Sequence, residues 1–111
     1  MRYWDASAIV PLLVQEPRTG DAQAALADDA GIVTWWGTRI ECTSAIARLE
    51  RSAALTSRQA SEALELLHTL AAGWNEILAV EMVRQTACRL LRVHALRAAD
   101  AVQLAAATVM A

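Results

Sequence analysis

The chain has 111 residues, 56% of them hydrophobic, and a formal net charge of -2, which suits one domain with one substantial core. No stretch reaches the ~18 uncharged apolar residues a membrane span needs, and no basic leader precedes a long apolar run. Cys42 and Cys88 are far apart and lack a second Cys or His at ligand spacing, so neither a zinc site nor a disulfide framework is expected, and a soluble protein of a reducing cytoplasm fits best. All 10 bases are arginines, which grip phosphates bidentately from a local patch even at slightly negative total charge; charge therefore counts neither for nor against nucleic acid.

In chain order, Arg2 to Trp4 read as a short strand, and Asp5 interrupts an apolar run that resumes at Ala6. A carboxylate thus falls where strand gives way to helix. Ligands of open parallel sheets bind outside the carboxyl ends of the strands, so Asp5 is a natural first member of a site; Asp5 or Ser7 serves equally well as a helix N-cap. The helix spans about Ser7 to Val14, with Pro11 in its first turn or just past it, and Glu16 and Pro17 end it. An alanine-rich helix over about Gly20 to Ala27 and a turn at Asp28 to Gly31 lead to a second strand, Ile32 to Trp35. This is the βαβ pattern of a parallel sheet.

The third helix, Gly37 to about Ala53, is expected to bury Ile40, Ile46, Ala47 and Leu49. Glu41, Ser44, Ala45 and Arg48 share a separate stripe at i, i+3, i+4 and i+7. Small neighbours leave Glu41 accessible, either as a site acid or as a solvated glutamate favourable to the helix dipole. After a break at Arg51 to Leu55, Thr56 or Ser57 caps a fourth helix reaching about Ala72, with Ala60, Leu64, Leu67 and Ala71 inward and His68 at the surface. Gly73 ends it. Asn75 to Val80 read as a third strand with Ile77, Leu78 and Val80 buried, and Glu81 to about Val93 as a fifth helix with Cys88 in the core. Of Trp4, Trp35, Trp36 and Trp74, three flank strands, so packing in a core or dimer interface is preferred over base stacking.

The closing segment HALRAADAVQLAAATVMA, His94 to Ala111, carries the sharpest signal. From Ala98 onward it is almost wholly apolar, so a helix there should be nearly buried, yet Asp100 stands within it. A buried lone carboxylate needs a partner: either Arg97 at i-3, or a cation shared with other acids.

D-x-S at the end of the first strand, the glutamate of TRIEC (Thr38 to Cys42), and H-x-L-R-A-x-D-A-x-Q-L-A from His94 to Ala105 together resemble the PIN-domain ribonucleases, particularly the VapC-type toxins of bacterial toxin-antitoxin pairs. The resemblance spans nearly the whole chain as a single domain, 1–111. It implies an α/β fold, a parallel sheet sandwiched by helices, about three strands of which fall in this chain. It further implies that Asp5, Glu41 and Asp100 hold Mg²⁺ or Mn²⁺, with Ser7, His94 and Arg97 in support. The implied activity is metal-dependent hydrolysis of RNA, and the implied partners are RNA and a cognate antitoxin that fills the acidic groove. Arg39 and Arg48, near the proposed acids, are candidates for RNA phosphate contact against a reading as ordinary solvated surface.

Physical chemistry agrees with such a site, because hard divalent cations take oxygen ligands and crowded acids repel one another without a cation. PIN domains usually continue into a fourth strand bearing another acid, whereas Ala111 falls inside the preceding helix. The expectation is therefore a chain lacking the family's C-terminal strand-helix portion, with an exposed edge at its first strand that favours a homodimer. A catalytically weak or inactive PIN-like module that binds RNA or antitoxin is the alternative. A phosphatase of the haloacid dehalogenase type fits poorly: it wants D-x-D and a lysine, but position 7 is serine and the chain contains no lysine.

Overall fold

A computed structural model describes residues 1–110, and Ala111, the last residue of the expected final helix, lies outside them. The described chain runs β1 (Arg2–Tyr3), α1 (Ala6–Leu13), α2 (Thr19–Asp28), β2 (Ile32–Trp35), α3 (Thr38–Arg51), α4 (Ser57–Gly73), β3 (Asn75–Ile77), α5 (Glu81–Val93) and α6 (Ala98–Met110). The three strands form one parallel sheet in the order β1-β2-β3, with Tyr3 opposite Val33 and Trp35 opposite Ile77. The β1 ladder carries on past the strand, where the Trp4 amide donates to the Val33 carbonyl at 2.8 Å. This is a mixed α/β architecture. No helix among the described residues is long and apolar enough to cross a membrane.

Strand periodicity explains why the sheet is covered on both sides. Ile32 and Trp35 are an odd number of residues apart, so their side chains leave opposite faces. Ile32 joins a core with Trp4, Ile9, Leu13, Cys42, Ile46, Leu67 and Trp74, built on α1, α3 and α4. Trp35 and its neighbour Ile77 pack on a second core of Val83, Ala87, Ala101 and Ala105, from α5 and α6.

Local chemistry sets the helix ends. Thr56 caps α4 in a full capping box with Gln59, each side chain bonded to the other's backbone amide. The break after α3 holds Ala53 at φ 62°, a left-handed position at which glycine is the usual occupant.

Several burial expectations are corrected. Ile40 is exposed, because the inward face of α3 is rotated to carry Cys42 and Ile46 instead. Leu64 is partly exposed, and Ala63 takes its place beside Ala60 and Leu67. The third strand stops at Ile77, so Leu78 and Val80 fall in the connection to α5 and are exposed. Cys88 is also exposed: α5 turns Val83, Thr86 and Ala87 inward.

Candidate functional site

The three acids arrive from three segments, each at the start of a helix. Asp5 follows β1 and is the N-cap of α1; Glu41 lies in the first turn of α3, just after β2; Asp100 lies in the first turn of α6. Helix N-termini carry partial positive charge, which lessens the cost of gathering carboxylates there. All three line one cavity of about 500 Å³ outside the carboxyl ends of the strands, together with Ser7, Ser44, Arg48 and Gln103. The stripe Glu41, Ser44, Ala45 and Arg48 indeed faces a common space.

Asp5 acts as the expected cap and keeps an oxygen for other work. Its Oδ1 accepts from the Ala8 amide at 2.9 Å and from the Ser7 hydroxyl at 2.8 Å. Its Oδ2 accepts no hydrogen bond among the described residues, so capping and membership of the cavity are compatible.

Glu41 is half-buried, and its carboxyl is pushed above the ordinary glutamate range, first by burial and then by the negative charges of Asp100 and Asp5; a hydrogen bond from Gln103 pulls the other way. That bond belongs to a chain of polar groups. Gln103 Nε2 donates to Glu41 Oε2 and to Thr38 Oγ1, both at 3.0 Å, and its Oε1 accepts from the Tyr3 hydroxyl at 2.6 Å. The Thr34 hydroxyl lies 2.6 Å from the Trp4 carbonyl and 2.8 Å from the Thr38 hydroxyl. A carbonyl can only accept, so Thr34 gives its single proton to Trp4 and Thr38 donates to Thr34. The chain ties β1, β2, α3 and α6 together directly behind the acids. Burial, followed by Asp5 and Glu41, raises the Tyr3 phenol, which therefore stays protonated and donates to Gln103. Cys42 lies in the core behind the site, its thiol pushed up to about 12 by burial and then by Glu41 and Asp5, which removes it as a nucleophile.

Asp100 does not match the expectation of a buried carboxylate. It is exposed at the cavity's edge and forms no ion pair with Arg97, because α6 buries only the face carrying Ala101, Gln103, Ala105 and Ala106. His94 and Arg97, expected around Asp100, are exposed in the α5–α6 connection and line neither this cavity nor its neighbour. Arg48 lines the acidic cavity, whereas Arg39 lies over an adjoining one and is hydrogen-bonded to His68 Nδ1 at 2.8 Å.

The residue-by-residue reading passed over Gln103, Tyr3 and Arg18, although Gln103 stands within the quoted motif. It is the single amide in a mostly apolar helix, one turn beyond Asp100 and facing the same cavity, and that i, i+3 spacing was the available signal. As a donor set, three carboxylates with an open Asp5 oxygen and an exposed Asp100 suit a hard divalent cation. They line the cavity without converging: among the described residues no three His, Cys, Asp or Glu side chains already surround one point at metal-holding distances. Neither the family models nor the curated proteins compared with this chain match it.

Proposed function

We propose that the chain is a metal-dependent endoribonuclease resembling the VapC-type PIN-domain toxins, and that it hydrolyses RNA phosphodiester bonds. The observation that carries this reading is that Asp5, Glu41 and Asp100, far apart in sequence, line one cavity at the carboxyl ends of parallel strands, close enough for Asp100 and Asp5 to raise the Glu41 carboxyl. In this reading the three acids hold Mg²⁺ or Mn²⁺. The cation, when bound, supplies positive charge against the scissile phosphate and makes water a stronger acid at neutral pH. Ser7 keeps Asp5 oriented through its hydrogen bond, Gln103 does the same for Glu41, and Arg48 at the cavity wall offers a phosphate contact. His94 and Arg97 lie outside the cavity and take no part at the cation in this reading. A cognate antitoxin would fill the acidic groove, presenting a cationic side chain such as arginine to the acids, and a homodimer would cover the β1 edge.

The second reading is a PIN-like module that binds RNA or antitoxin with little or no cleavage. It is favoured by the openness of the three carboxylates, which line the cavity without surrounding one point.

The test is cleavage of a mixed structured RNA in Mg²⁺ or Mn²⁺ and in chelator, with Asp5→Asn and Asp100→Asn proteins alongside. The nuclease reading expects cleavage that chelator abolishes and that each substitution lowers by roughly 100-fold or more. Cleavage that survives both substitutions comes from a contaminant. A folded protein that binds metal or RNA but never cuts transfers the conclusion to the second reading.

A further inference from the structure

The acidic cavity does not end at the acids. On one side it shares Asp5, Ser7, Asp100 and Gln103 with a hollow of about 470 Å³ that reaches Arg18. On the other it shares Ile40 and Ser44 with a hollow of about 600 Å³ over the start of α3, walled by Trp36, Arg39 and Thr43. The three join as one groove with Arg18 at one end, the acids and Arg48 in the middle, and Arg39 beside Trp36 at the other end. Among the described residues, none of these three arginines forms an ion pair with a carboxylate. Glu76 is the acid lining the far hollow, and it accepts the Trp74 indole N–H at 2.9 Å.

Trp36 is the unusual member. The preference for packed tryptophans holds for Trp4 and Trp74, which are buried, whereas Trp36 is 50% exposed and Ile40, one turn on, is 62% exposed. The sequence around Trp36 keeps it outward. Its amide donates to the Ile77 carbonyl at 2.9 Å, which fixes its backbone to the sheet. Gly37 follows, and a Cβ at that position would run into the Trp35 indole, so the glycine lets Trp35 tuck beneath the turn. Trp35 then meets Trp36 edge to face, with centroids 6.3 Å apart and planes at 74°, and bounds the ring from one side. An indole held in place beside an arginine, in a groove with two more unpaired arginines, matches a chain of alternating flat bases and phosphates.

We propose that Trp36 and Arg39 form a subsite beside the acids, in which one RNA base stacks on the Trp36 indole and the adjoining phosphate meets Arg39. The inference rests on the ribonuclease reading and adds to it a base-stacking subsite outside the acidic cavity. Only unpaired bases present their flat faces to a side chain, so Trp36 discriminates against duplex. Arg39 supplies charge without reading sequence.

The test is binding of labelled oligouridine and oligoadenosine by fluorescence anisotropy, in chelator and low salt, with cleavage in Mg²⁺ assayed separately. Trp36→Ala should weaken binding roughly 5- to 150-fold, and Trp36→Phe should retain most of it. Arg39→Ala should weaken binding to both oligomers alike and lower the salt slope by about one. A duplex of equal length should bind more weakly than either strand. The proposal is overturned by a wild-type chain that binds neither oligomer, by equal affinity for duplex, or by a folded Trp36→Ala protein with unchanged affinity. It is equally overturned if Trp36→Ala alters the oligomeric state in light scattering while leaving RNA affinity intact, since the patch would then be a protein interface. Should Trp36→Ala fail to fold, comparing the Trp36→Phe and Arg39→Ala proteins decides between these outcomes. Trp36-dependent binding without cleavage would retain the groove and remove the nuclease reading; metal-dependent cleavage indifferent to Trp36 would do the reverse.

Discussion

The two faces of the sheet are packed from different materials. The buried residues of the α1, α3 and α4 side include Ile9, Leu13, Ile46, Leu67 and two indoles, whereas those of the α5 and α6 side are Val83 and three alanines, with Trp35, Ile77 and Leu90 only partly buried against them. Small side chains remove less apolar area from water, so the second core contributes less stability. The same side leaves Leu78, Val80, Met82, Leu91 and Val93 exposed. The candidate site straddles this difference: Asp5 and Glu41 hang from the thick side and Asp100 from the thin one. What brings Asp100 into register is therefore less the alanine packing of α6 than the hydrogen bonds of Gln103, which lock α6 to Tyr3, Thr38 and Glu41.

Truncations on the two sides should separate most widely. Leu67→Ala is expected to lose about 2–5 kcal/mol in urea unfolding, through lost transfer energy and a cavity. Val83→Ala removes two carbon groups where Leu67→Ala removes three, and should lose about 1.6 kcal/mol of transfer energy plus a smaller cavity term. Equal losses would break the comparison. Gln103→Leu comes next, since it keeps the volume but strands the Tyr3 hydroxyl and takes one donor each from Thr38 and Glu41. The expected cost is about 1–3 kcal/mol, with RNA cleavage falling further than the folded fraction at the assay temperature does. A Gln103→Leu protein as stable and as active as the parent would mean that the alanine face alone positions α6.

Much of the frame was legible because its signals are local. Ile32 to Trp35 follows turn residues at Asp28 to Gly31, and the ranges expected for it and for Glu81 to Val93 match the observed elements. Asp5 was legible as a cap that also faces a cavity, because a lone carboxylate between strand and helix has few other uses. What the sequence hid was orientation. An alanine-rich run reads as apolar all round, yet alanine tolerates water, so α6 lies with Asp100 and Leu104 outward and only one face buried. Ile40 and Cys88 were misplaced for a related reason: hydrophobicity marks residues that could be buried, and the rotation of the helix decides which ones are. The rise of Trp36 out of the sheet depended on Gly37 and Trp35 together, a contact that no periodicity reveals.

The smallest expected effect tests whether Glu41 is held at a cost to stability. Its carboxyl is raised above the glutamate value, first by burial and then by Asp100 and Asp5, so the fold favours the protonated form. A raised carboxyl contributes stability that is fully present below the unfolded pKa and is lost as pH rises through the folded pKa; at neutral pH, ionised Glu41 is a burden. Glu41→Gln removes that burden and still offers Gln103 an acceptor. In chelator at pH 7 the variant should melt a few degrees above the parent, and the gap should close as pH falls below the ordinary glutamate value of about 4.3. Added Mg²⁺ should reverse the order, since a cation that binds only the folded parent at 100 times its Kd stabilises it by about 2.7 kcal/mol. A gap that is flat with pH would show that neither burial nor the neighbouring acids raise the Glu41 carboxyl. A gap that follows pH but ignores Mg²⁺ would leave the three carboxylates as mutual neighbours and take away their role as ligands.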